Sequence, residues 1–556
     1  MSTVLTAQEP SAKYLVNLQS PLVRHFDLIA QSPGGVARLR ELILTLAVQG
    51  KLVPQDPKET PVDISVIPAA INRLIGEGKV PRSRTSAEAE QETSFDDMPN
   101  GWVAVIASNV FVPRSGNSKL IKGKLFSEPA EHLYPGYSAS GQDVWLSHFE
   151  YEGTAVILSA VGARCGKAFL AKGKWNAIAN THIIWPLLDL VLPEYSMILL
   201  NNEGYWIRSG GAQPFVKVTE TLQQQVVLPP IAEQSRIVTR VEELMQLCDA
   251  LEASGQLEAQ QHAQLVNTLL GTLTRSETPE ALADNWQHIA THFDLLLDRP
   301  EAVDALEQTI LQLAVRGLLV PQDPTDEPAS VLLQKIRTEK DHLIAQGKIK
   351  RDKSLPLITD EEKLFELPQG WEWVRLGSLG ITQTGGTPAS SKPEYFDGNF
   401  PFIGPGQITP NGQILSAEKF ISELGTLESA VVEPGDILMV CIGGSIGKCA
   451  AATFPTAFNQ QINSIHPLLS SSEYVLNAMS SNDFTQVVLS AATGSATPII
   501  SKGKWDLLLL PLPPRAEQSR IVTRANELRS LCANLRARIE SVQFVQTQLS
   551  KTLVVS

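Results

Sequence analysis

The sequence predicts an α+β fold: two mixed α/β globular domains separated by two long antiparallel coiled-coil helices, with an internal pseudo-two-fold repeat. Three observations predict it. The string EQSRIVTR occurs at residues 233–240 and again at 517–524. Short apolar runs broken by Gly, Pro, Asn and Ser precede each copy, as is typical of buried strands. A long helical apolar pattern follows each copy.

The repeat extends over nearly the whole chain of 556 residues. In the same order, HFD recurs at 25–27 and 292–294, LAV at 46–48 and 313–315, VPQDP at 53–57 and 320–324, and Gly-Lys at 166–167 and 447–448. The tetrapeptide PNGW at 99–102 corresponds to PQGW at 368–371. The spacing between partners grows slowly along the chain, which indicates a duplication followed by small insertions. Two similar halves suit a target with two parts.

Each half begins with helices. Apolar residues at helical spacing predict a helix over 36–50 and its counterpart over 301–317, where Gly317 stands at the expected C-terminal position. A second helix is predicted over 330–346, followed by polar linkers at 81–97 and 351–362. The predicted segments are 1–98 (helical segment and linker), 99–229 (first globular domain), 230–275 (central helix), 276–365 (second helical segment and linker), 366–512 (second globular domain) and 513–556 (C-terminal helix).

Within the globular domains, Val156–Leu158 and Ile437–Val440 are predicted as buried strands, and Glu433–Asp436 as the turn before the second of them. Leu-Pro-Pro then opens each long helix. From Ile521 to Leu553 apolar positions follow an unbroken 4-3 spacing, a coiled-coil seam about 50 Å long at ~1.5 Å per residue. In the first copy the seam is interrupted around residues 254–255. We expect the two seams to pair antiparallel; the alternative is that each packs on its own domain.

Composition excludes several classes of protein. No window has the ~18 apolar residues of a membrane span, and the N-terminus lacks a signal-peptide pattern. Five cysteines without CxxC spacing indicate reduced thiols and a cytoplasmic protein. The histidines have no ligand spacing, so no metal site is expected. The net charge of −13 argues against a simple nucleic-acid binder, although residues 99–228 are nearly balanced, with 10 Lys and Arg against 9 Asp and Glu.

Two motif-like strings do not predict catalysis. Residues 443–447 match the Gly-x-Ser-x-Gly elbow of hydrolases, but the counterpart at 162–166 has no serine. The Gly-Lys pairs are one residue too short for a phosphate loop, and Ala168 and Cys449 stand where that loop needs Ser or Thr. The sequence also lacks the Asn/Asp-Pro-Pro-aromatic string of adenine methyltransferases. We therefore expect no catalytic residue and no cofactor.

Phosphate contacts need Lys or Arg, and base edges are read by Arg, Asn, Gln, Ser or Thr. If the chain binds DNA, the candidate contacting residues are Lys119, Lys122, Lys124, Arg164, Lys167, Lys172 and Lys174 in the first domain and Lys448, Gln460, Gln461, Lys502 and Lys504 in the second. A solvated surface charge remains the alternative for each of them.

The order of these motifs resembles one known family. LPPIAEQSRIV at 228–238 and LPPRAEQSRIV at 512–522, each followed by a long helix, resemble the conserved region of type I restriction–modification specificity subunits. TGSATP at 493–498 resembles a loop of that family, from which SGGAQP at 209–214 departs. The segments LAVQGKLVPQDP and LAVRGLLVPQDP resemble those of one branch with N-terminal extensions.

The resemblance implies a protein without catalytic activity. Each globular domain would be a target recognition domain that reads one half of a split double-stranded DNA site. The helices would set the spacing, and two methyltransferase and two motor-nuclease subunits would dock on them. The docking residues expected from the repeated string are Glu233, Gln234, Arg236, Arg240, Glu517, Gln518, Arg520 and Arg524. The alternative is a decoy of the same fold that binds partner subunits without a DNA target.

Overall fold

The computed structural model describes residues 32–80, 98–122, 125–162, 164–201, 205–211, 213–276, 278–351, 354–494 and 496–555. The first HFD segment (25–27), the linker over 81–97 and Lys124 lie outside these residues. Contacts divide the chain into two compact units, Met1–Gln256 with Gln543–Ser556, and Leu257–Val542.

The helices, in chain order, are α1 (Gly35–Val48), α2 (Ile67–Gly76), α3 (Ala107–Val110), α4 (Pro193–Leu200), α5 (Val218–Thr221), α6 (Ile231–Thr274), α7 (Pro279–Thr291), α8 (Phe293–Leu296), α9 (Pro300–Val315), α10 (Ala329–Ala345), α11 (Glu423–Thr426), α12 (Ser472–Met479), α13 (Asn482–Ala491), α14 (Lys502–Asp506) and α15 (Arg515–Val555). Helices α1, α9 and α10 therefore lie where the apolar spacing predicts them.

The strands of the first domain are β1 (Val103–Ile106), β2 (Phe111–Ser115), β3 (Tyr134–Ser138), β4 (Gly141–Leu146), β5 (Tyr151–Glu152), β6 (Ala155–Ser159), β7 (Ala168–Ala171), β8 (Lys174–Ala177), β9 (Thr181–Pro186), β10 (Arg208–Ser209), β11 (Phe215–Val216) and β12 (Gln225–Leu228). Those of the second are β13 (Glu372–Arg375), β14 (Gly380–Thr384), β15 (Phe400–Ile403), β16 (Lys419–Ile421), β17 (Ala430–Val432), β18 (Ile437–Val440), β19 (Cys449–Ala451), β20 (Thr456–Phe458), β21 (Ile462–Pro467) and β22 (Leu509–Leu512).

The two domains have the same sheet topology. The first contains sheets of order β2-β9-β6-β7 and β4-β3-β8-β5, and the second contains β14-β21-β18-β19 and β16-β15-β20-β17. In each domain the first strand pairs antiparallel with the last, β1 with β12 and β13 with β22. The predicted buried strands are the fully buried β6 and β18. The internal repeat is thus a repeat of structure, and the predicted fold class is confirmed: two sheet-rich domains with the 44-residue helix α6 between them in the chain.

In the first unit, the start of the long helix packs on its own copy. Leu39 and Ile43 of α1 share one apolar cluster with Trp102 of the first domain and with Ile237 and Cys248 of α6. This part of the seam therefore follows the alternative, in which a seam packs on its own domain. Helix α6 continues unbroken through residues 254–255, but residues 252–261 are all exposed, so the apolar seam is interrupted there as expected while the helix is not.

In the second unit, both long helices contribute to one apolar cluster. Val266 and Leu270, near the end of α6, lie in a cluster with Ala525 and Cys532, near the start of α15. A cluster shared by the end of α6 and the first half of α15 is the combination expected of antiparallel pairing. Helix α9 contributes its buried Val303 to the same cluster. The seam is therefore a bundle of long and short helices and not two helices alone.

The second half of the predicted seam on α15 is exposed. Val542 and Leu549 retain 57% and 47% of their accessible surface. The expectation of a seam packed over its full length, from Ile521 to Leu553, was wrong for this part. The side chain of Leu553 lies outside the described residues. The boundaries of the six predicted segments stay a prediction.

Candidate nucleic-acid interface and helix joint

The hairpin between β6 and β7 and that between β18 and β19 carry the repeated Gly-Lys pairs. We call residues 162–167 and 443–448 the glycine turns. The Gly166 amide donates to the Ser159 carbonyl and the Ser159 amide to the Lys167 carbonyl, both at 2.9 Å. The Gly447 and Val440 amides make the matching bonds, also at 2.9 Å. Because φ is +92° at Gly166 and +90° at Gly447, both turns depend on glycine there.

A second loop closes onto each glycine turn. The Gly162 amide donates to the Pro214 carbonyl at 2.8 Å, and the Gly443 amide to the Pro498 carbonyl at 2.9 Å. We call residues 209–214 and 493–498 the proline loops. Their sequences, SGGAQP and TGSATP, differ, yet φ is +92° at Gly210 and +93° at Gly494. The first copy therefore keeps the left-handed glycine and the bond to the proline carbonyl, although its sequence departs from the family pattern.

The turn between β20 and β21 lies beside the second glycine turn. The Cys441 amide, at the foot of that turn, donates to the Gln461 carbonyl at 2.7 Å. Gln460 is exposed, and its side-chain oxygen accepts a bond of 2.6 Å from the Thr387 hydroxyl. The glycine turn, the proline loop and the turn carrying Gln460 and Gln461 thus form one surface of the second domain.

The first domain has the same arrangement. The Ala160 amide donates to the carbonyl of Asn180 at 2.9 Å, so Asn180 occupies the place of Gln461. A Cβ at Gly166 would lie 3.1 Å from the Arg208 guanidinium, which places Arg208 beside the same turn. Sequence reasoning missed both residues. The duplication could have identified Asn180, because Asn180 aligns with Gln461, which the sequence analysis had chosen in the other copy.

The structure places most of the candidate cations at the surface, many with partners inside the protein. The exposed candidates are Lys119, Lys122, Arg164, Lys167, Lys172, Lys174 and Lys504, while Lys448 and Lys502 are half-buried. Carboxylates pair with Lys122 (Asp143, 2.5 Å), Lys172 (Glu194, 2.7 Å) and Lys502 (Asp506, 2.7 Å). Lys504 donates to the Ala491 carbonyl at 3.1 Å, and Lys174 lies 4.7 Å from the Phe149 ring centre. Arg164, Lys167 and Lys448 lie on the glycine turns.

The repeated string begins inside the protein. Glu233 and Glu517 are 1% exposed, and they accept hydrogen bonds from the indole N–H groups of Trp102 (3.1 Å) and Trp371 (2.9 Å). Burial raises the pKa of both carboxyls. These tryptophans belong to the PNGW and PQGW segments. The string therefore attaches the start of each long helix to the first residues of its own globular domain.

The glutamines of the string are buried too. Gln234 and Gln518 are 0% exposed. Gln518 accepts a bond from the Ser471 amide, the N-cap residue of α12, at 2.8 Å and donates to the Pro513 carbonyl at 3.0 Å. Gln234 accepts from the Leu192 amide at 2.8 Å in the same way. Because Glu233, Gln234, Glu517 and Gln518 are used inside the fold, they do not form an accessible docking surface, contrary to expectation.

The arginines of the string divide into two kinds. Arg236 pairs with Glu59, and Arg520 pairs with Asp326 at 2.5 Å, so each long helix is also bound to the helical segment of its own copy. Arg240 and Arg524 each form an ion pair along their own helix, with Glu243 and Glu527 at 3.0 Å. We call the residues 233–240 and 517–524 with these partners the helix joints.

Within the described residues, no group of three or more His, Cys, Asp or Glu side chains could hold a metal ion. Nor does this part of the chain contain a helix that is long and apolar enough to cross a membrane. The five cysteines are buried and unpaired.

Residues 368–542 match the family model of the type I restriction modification DNA specificity domain. The chain is 33% identical to the specificity subunit of the type I restriction enzyme EcoAI and 30% identical to that of EcoEI, both from Escherichia coli, over 93% of each chain. Among solved structures, it is similar to the HsdS subunit from Thermoanaerobacter tengcongensis, with 17% identity and a TM-score of 0.34 over 82% of this chain and 96% of that one.

Proposed function

The chain belongs to the specificity subunits of type I restriction–modification enzymes, and on this premise we propose that each globular domain reads one half of a bipartite, asymmetric DNA site. Residues 99–229 would be one target recognition domain and residues 366–512 the other. The observation that carries this proposal is that the two domains share one backbone scaffold but present different side chains on its surface. Strand order and glycine-turn bonding are the same in both copies, whereas the side chains differ.

The surface of each domain that supports DNA contact best is formed by its glycine turn and proline loop. Arg164 and Lys167 in the first domain occupy the positions of Ser445 and Lys448 in the second. A lysine in both copies suits a phosphate contact, which carries no sequence information, while a residue that differs suits base reading. Gln460 and Gln461 beside the second turn can donate to and accept from base edges.

The remaining basic candidates contribute less to this proposal. Lys122, Lys172 and Lys502 already have carboxylate partners in the free chain, so DNA would have to compete for them. The net charge of −13 also weakens non-specific attraction to DNA. We infer that basic surface is supplied by the methyltransferase subunits, which must also hold the duplex while the target adenine leaves the stack.

Partner docking would use the exposed parts of the helices. Arg524, whose side chain is 52% exposed, lies one turn beyond the buried part of its helix joint. Arg240, 19% exposed, occupies the same place in the first copy at the end of the same eight-residue string. Two equivalent surfaces suit two copies of one partner, which favours two methyltransferase subunits; two motor-nuclease subunits would complete the assembly. In this complex the specificity subunit supplies recognition and no catalytic group.

The test is a methylome of cells that express this chain with its cognate methyltransferase. We expect adenine methylation in a gapped motif. Replacing residues 366–512 by the corresponding domain of another specificity subunit should change one half of the motif, and replacing 99–229 should change the other. If either exchange altered both halves, the two-reader proposal would be wrong. A stable complex without any gapped methylated motif would favour a decoy that binds partners alone.

A further inference from the structure

The short helix of each copy binds its own long helix through ion pairs, and the sign of these pairs is reversed between the copies. In the first copy, Arg40 of α1 contacts Asp249 at 2.5 Å and Glu252 at 2.8 Å, both on α6. The cation stands on the short helix and the anions on the long one.

In the second copy the anion stands on the short helix. Glu307 of α9 contacts Arg529 at 2.8 Å and Arg536 at 3.5 Å, both on α15. Asp304, one turn earlier on α9, also pairs with Arg536. The alignment that pairs the LAV segments makes Glu307 the counterpart of Arg40, and the alignment of the two EQSRIVTR strings makes Arg536 the counterpart of Glu252.

The apolar contacts of the two short helices do not distinguish them. Leu39, Ile43 and Ala47 of α1 correspond to Leu306, Ile310 and Ala314 of α9, and all six are buried. The long helices carry a buried cysteine at the same place, Cys248 and Cys532. Because the hydrophobic effect is non-directional, these faces alone would let either short helix bind either long helix.

We propose that the reversed ion pairs form a pairing code that assigns each short helix to the long helix of its own copy. The wrong assignment would set Arg40 against Arg536, and Glu307 against Glu252. Discrimination between similar partners commonly relies on such repulsion. The ion pairs would direct pairing within one chain. They would also direct it between two chains, whose equivalent segments can exchange by domain swapping.

This proposal does not require any single ion pair to be strong, since half-exposed ion pairs individually contribute little to stability. The wrong assignment, however, replaces attraction by repulsion in both copies at once. The code therefore acts on the choice between two assignments more than on the stability of either.

The experiment uses the full-length chain and moves the second code into the first copy. The variant Arg40→Glu/Asp249→Ala/Glu252→Arg carries the residues of the second copy at all three positions. Both short helices are then acidic and both long helices basic, so every assignment is electrostatically allowed. After dilution from denaturant, we expect native thermal stability but roughly a twofold larger misassembled or oligomeric fraction than for the original sequence, measured by size-exclusion chromatography.

A matched control restores the distinction with the codes exchanged. It adds the changes Asp304→Ala, Glu307→Arg, Arg529→Met and Arg536→Glu, which are the first-copy residues at these positions. We expect this chain to refold with the original yield. Refolding of the three-residue variant at the original yield would overturn the proposal, and so would equal misassembly of the exchanged-code control.

A single substitution tests the same electrostatic repulsion in case the multiple variants fail to fold. Arg40→Glu should lower the Tm by about 1–2 °C more than Arg40→Gln, because repulsion adds to the lost attraction. Equal Tm values for these two variants would also overturn the proposal.

Discussion

The indole N–H of Trp371 donates a hydrogen bond of 2.9 Å to the carboxylate of Glu517, across 146 residues of sequence. Trp102 and Glu233 make the same bond in the first copy. Each pair joins the first residues of a globular domain to the helix that leaves it. The repeated string EQSRIVTR therefore makes the same internal contacts in both copies, which explains why its sequence is the same in both.

This carboxyl predicts a dependence of stability on pH. Burial raises the pKa of Glu517 in the folded state. The folded chain therefore holds this proton more tightly than the unfolded chain, and the contribution of Glu517 to the free energy of unfolding falls as pH rises above about 4.3, the usual value for glutamate. It levels off once the folded-state pKa has been passed.

Glu517→Gln should remove this loss of stability at higher pH, because the glutamine side chain is neutral and its amide oxygen can still accept the hydrogen bond from Trp371. We expect the Tm of the variant minus that of the original chain to increase from about pH 4 to about pH 7. Glu527→Gln, at an exposed position on the same helix, is the matched control. A difference that does not vary with pH would contradict the prediction.

Replacing Gly317 should destabilise the fold through both backbone strain and steric crowding. Gly347 provides a comparison in which only the strain is present. φ is +71° at both Gly317 and Gly347, but a Cβ at Gly317 would lie 2.5 Å from Pro368 Cγ and 3.1 Å from the Trp371 ring, whereas Gly347 has no neighbour within 4 Å. Gly347→Ala should cost only the left-handed strain, about 1–2 kcal/mol. Gly317→Ala should cost that and a few kcal/mol more, because it also displaces the tryptophan of the joint. Calorimetry on both variants measures the difference; equal costs would contradict it.

Much of the fold could be predicted from the sequence because its signals are local. The periodicity of residues 301–317 specified α9, and the apolar runs at 156–158 and 437–440 specified two fully buried strands. The duplication specified that the two domains share a topology. The exposed half of the α15 seam could not be predicted, because apolar spacing indicates which residues share a face and not whether anything covers it.

The roles of individual site residues were less accessible. Glu233 lies 131 residues from its partner Trp102, and Arg236 lies 177 residues from Glu59. A repeated string is equally compatible with a repeated external partner and with repeated internal contacts, and only the structure distinguishes them. The repetition of the internal partners themselves, as in the PNGW and PQGW segments, was the available signal.

Gln518 and Arg524 predict opposite consequences within one string. Gln518→Leu leaves the Ser471 amide and the Pro513 carbonyl without this partner, and each unpaired buried group costs about 1–3 kcal/mol. Arg524→Ala removes an exposed pair within one helix and should change stability by less than ~0.5 kcal/mol. Chemical denaturation monitored by tryptophan fluorescence compares them. Similar losses would mean that the string is not divided into a buried and an exposed part.

The same arginine tests the docking proposal. The variant Arg524→Ala should keep its Tm yet bind the methyltransferase subunit more weakly in a co-purification assay. Arg337→Ala, on α10 outside the helix joints, serves as the surface-charge control. Unchanged binding by Arg524→Ala would move the proposed docking surface away from the second helix joint.

Lys448 predicts a change in the salt dependence of DNA binding by the assembled complex. If its ammonium contacts a phosphate, Lys448→Ala should weaken binding to cognate and unrelated duplexes by a similar factor, and the slope of log K against log salt should decrease by about 1. Lys335→Ala is the control, because Lys335 lies on α10 and pairs with Glu327 at 2.7 Å. Gln461→Ala should instead weaken cognate binding selectively and leave the slope unchanged, since base contacts release few counterions. An unchanged slope for Lys448→Ala would remove the glycine turn of the second domain from the phosphate-contacting surface, whatever happens to sequence preference.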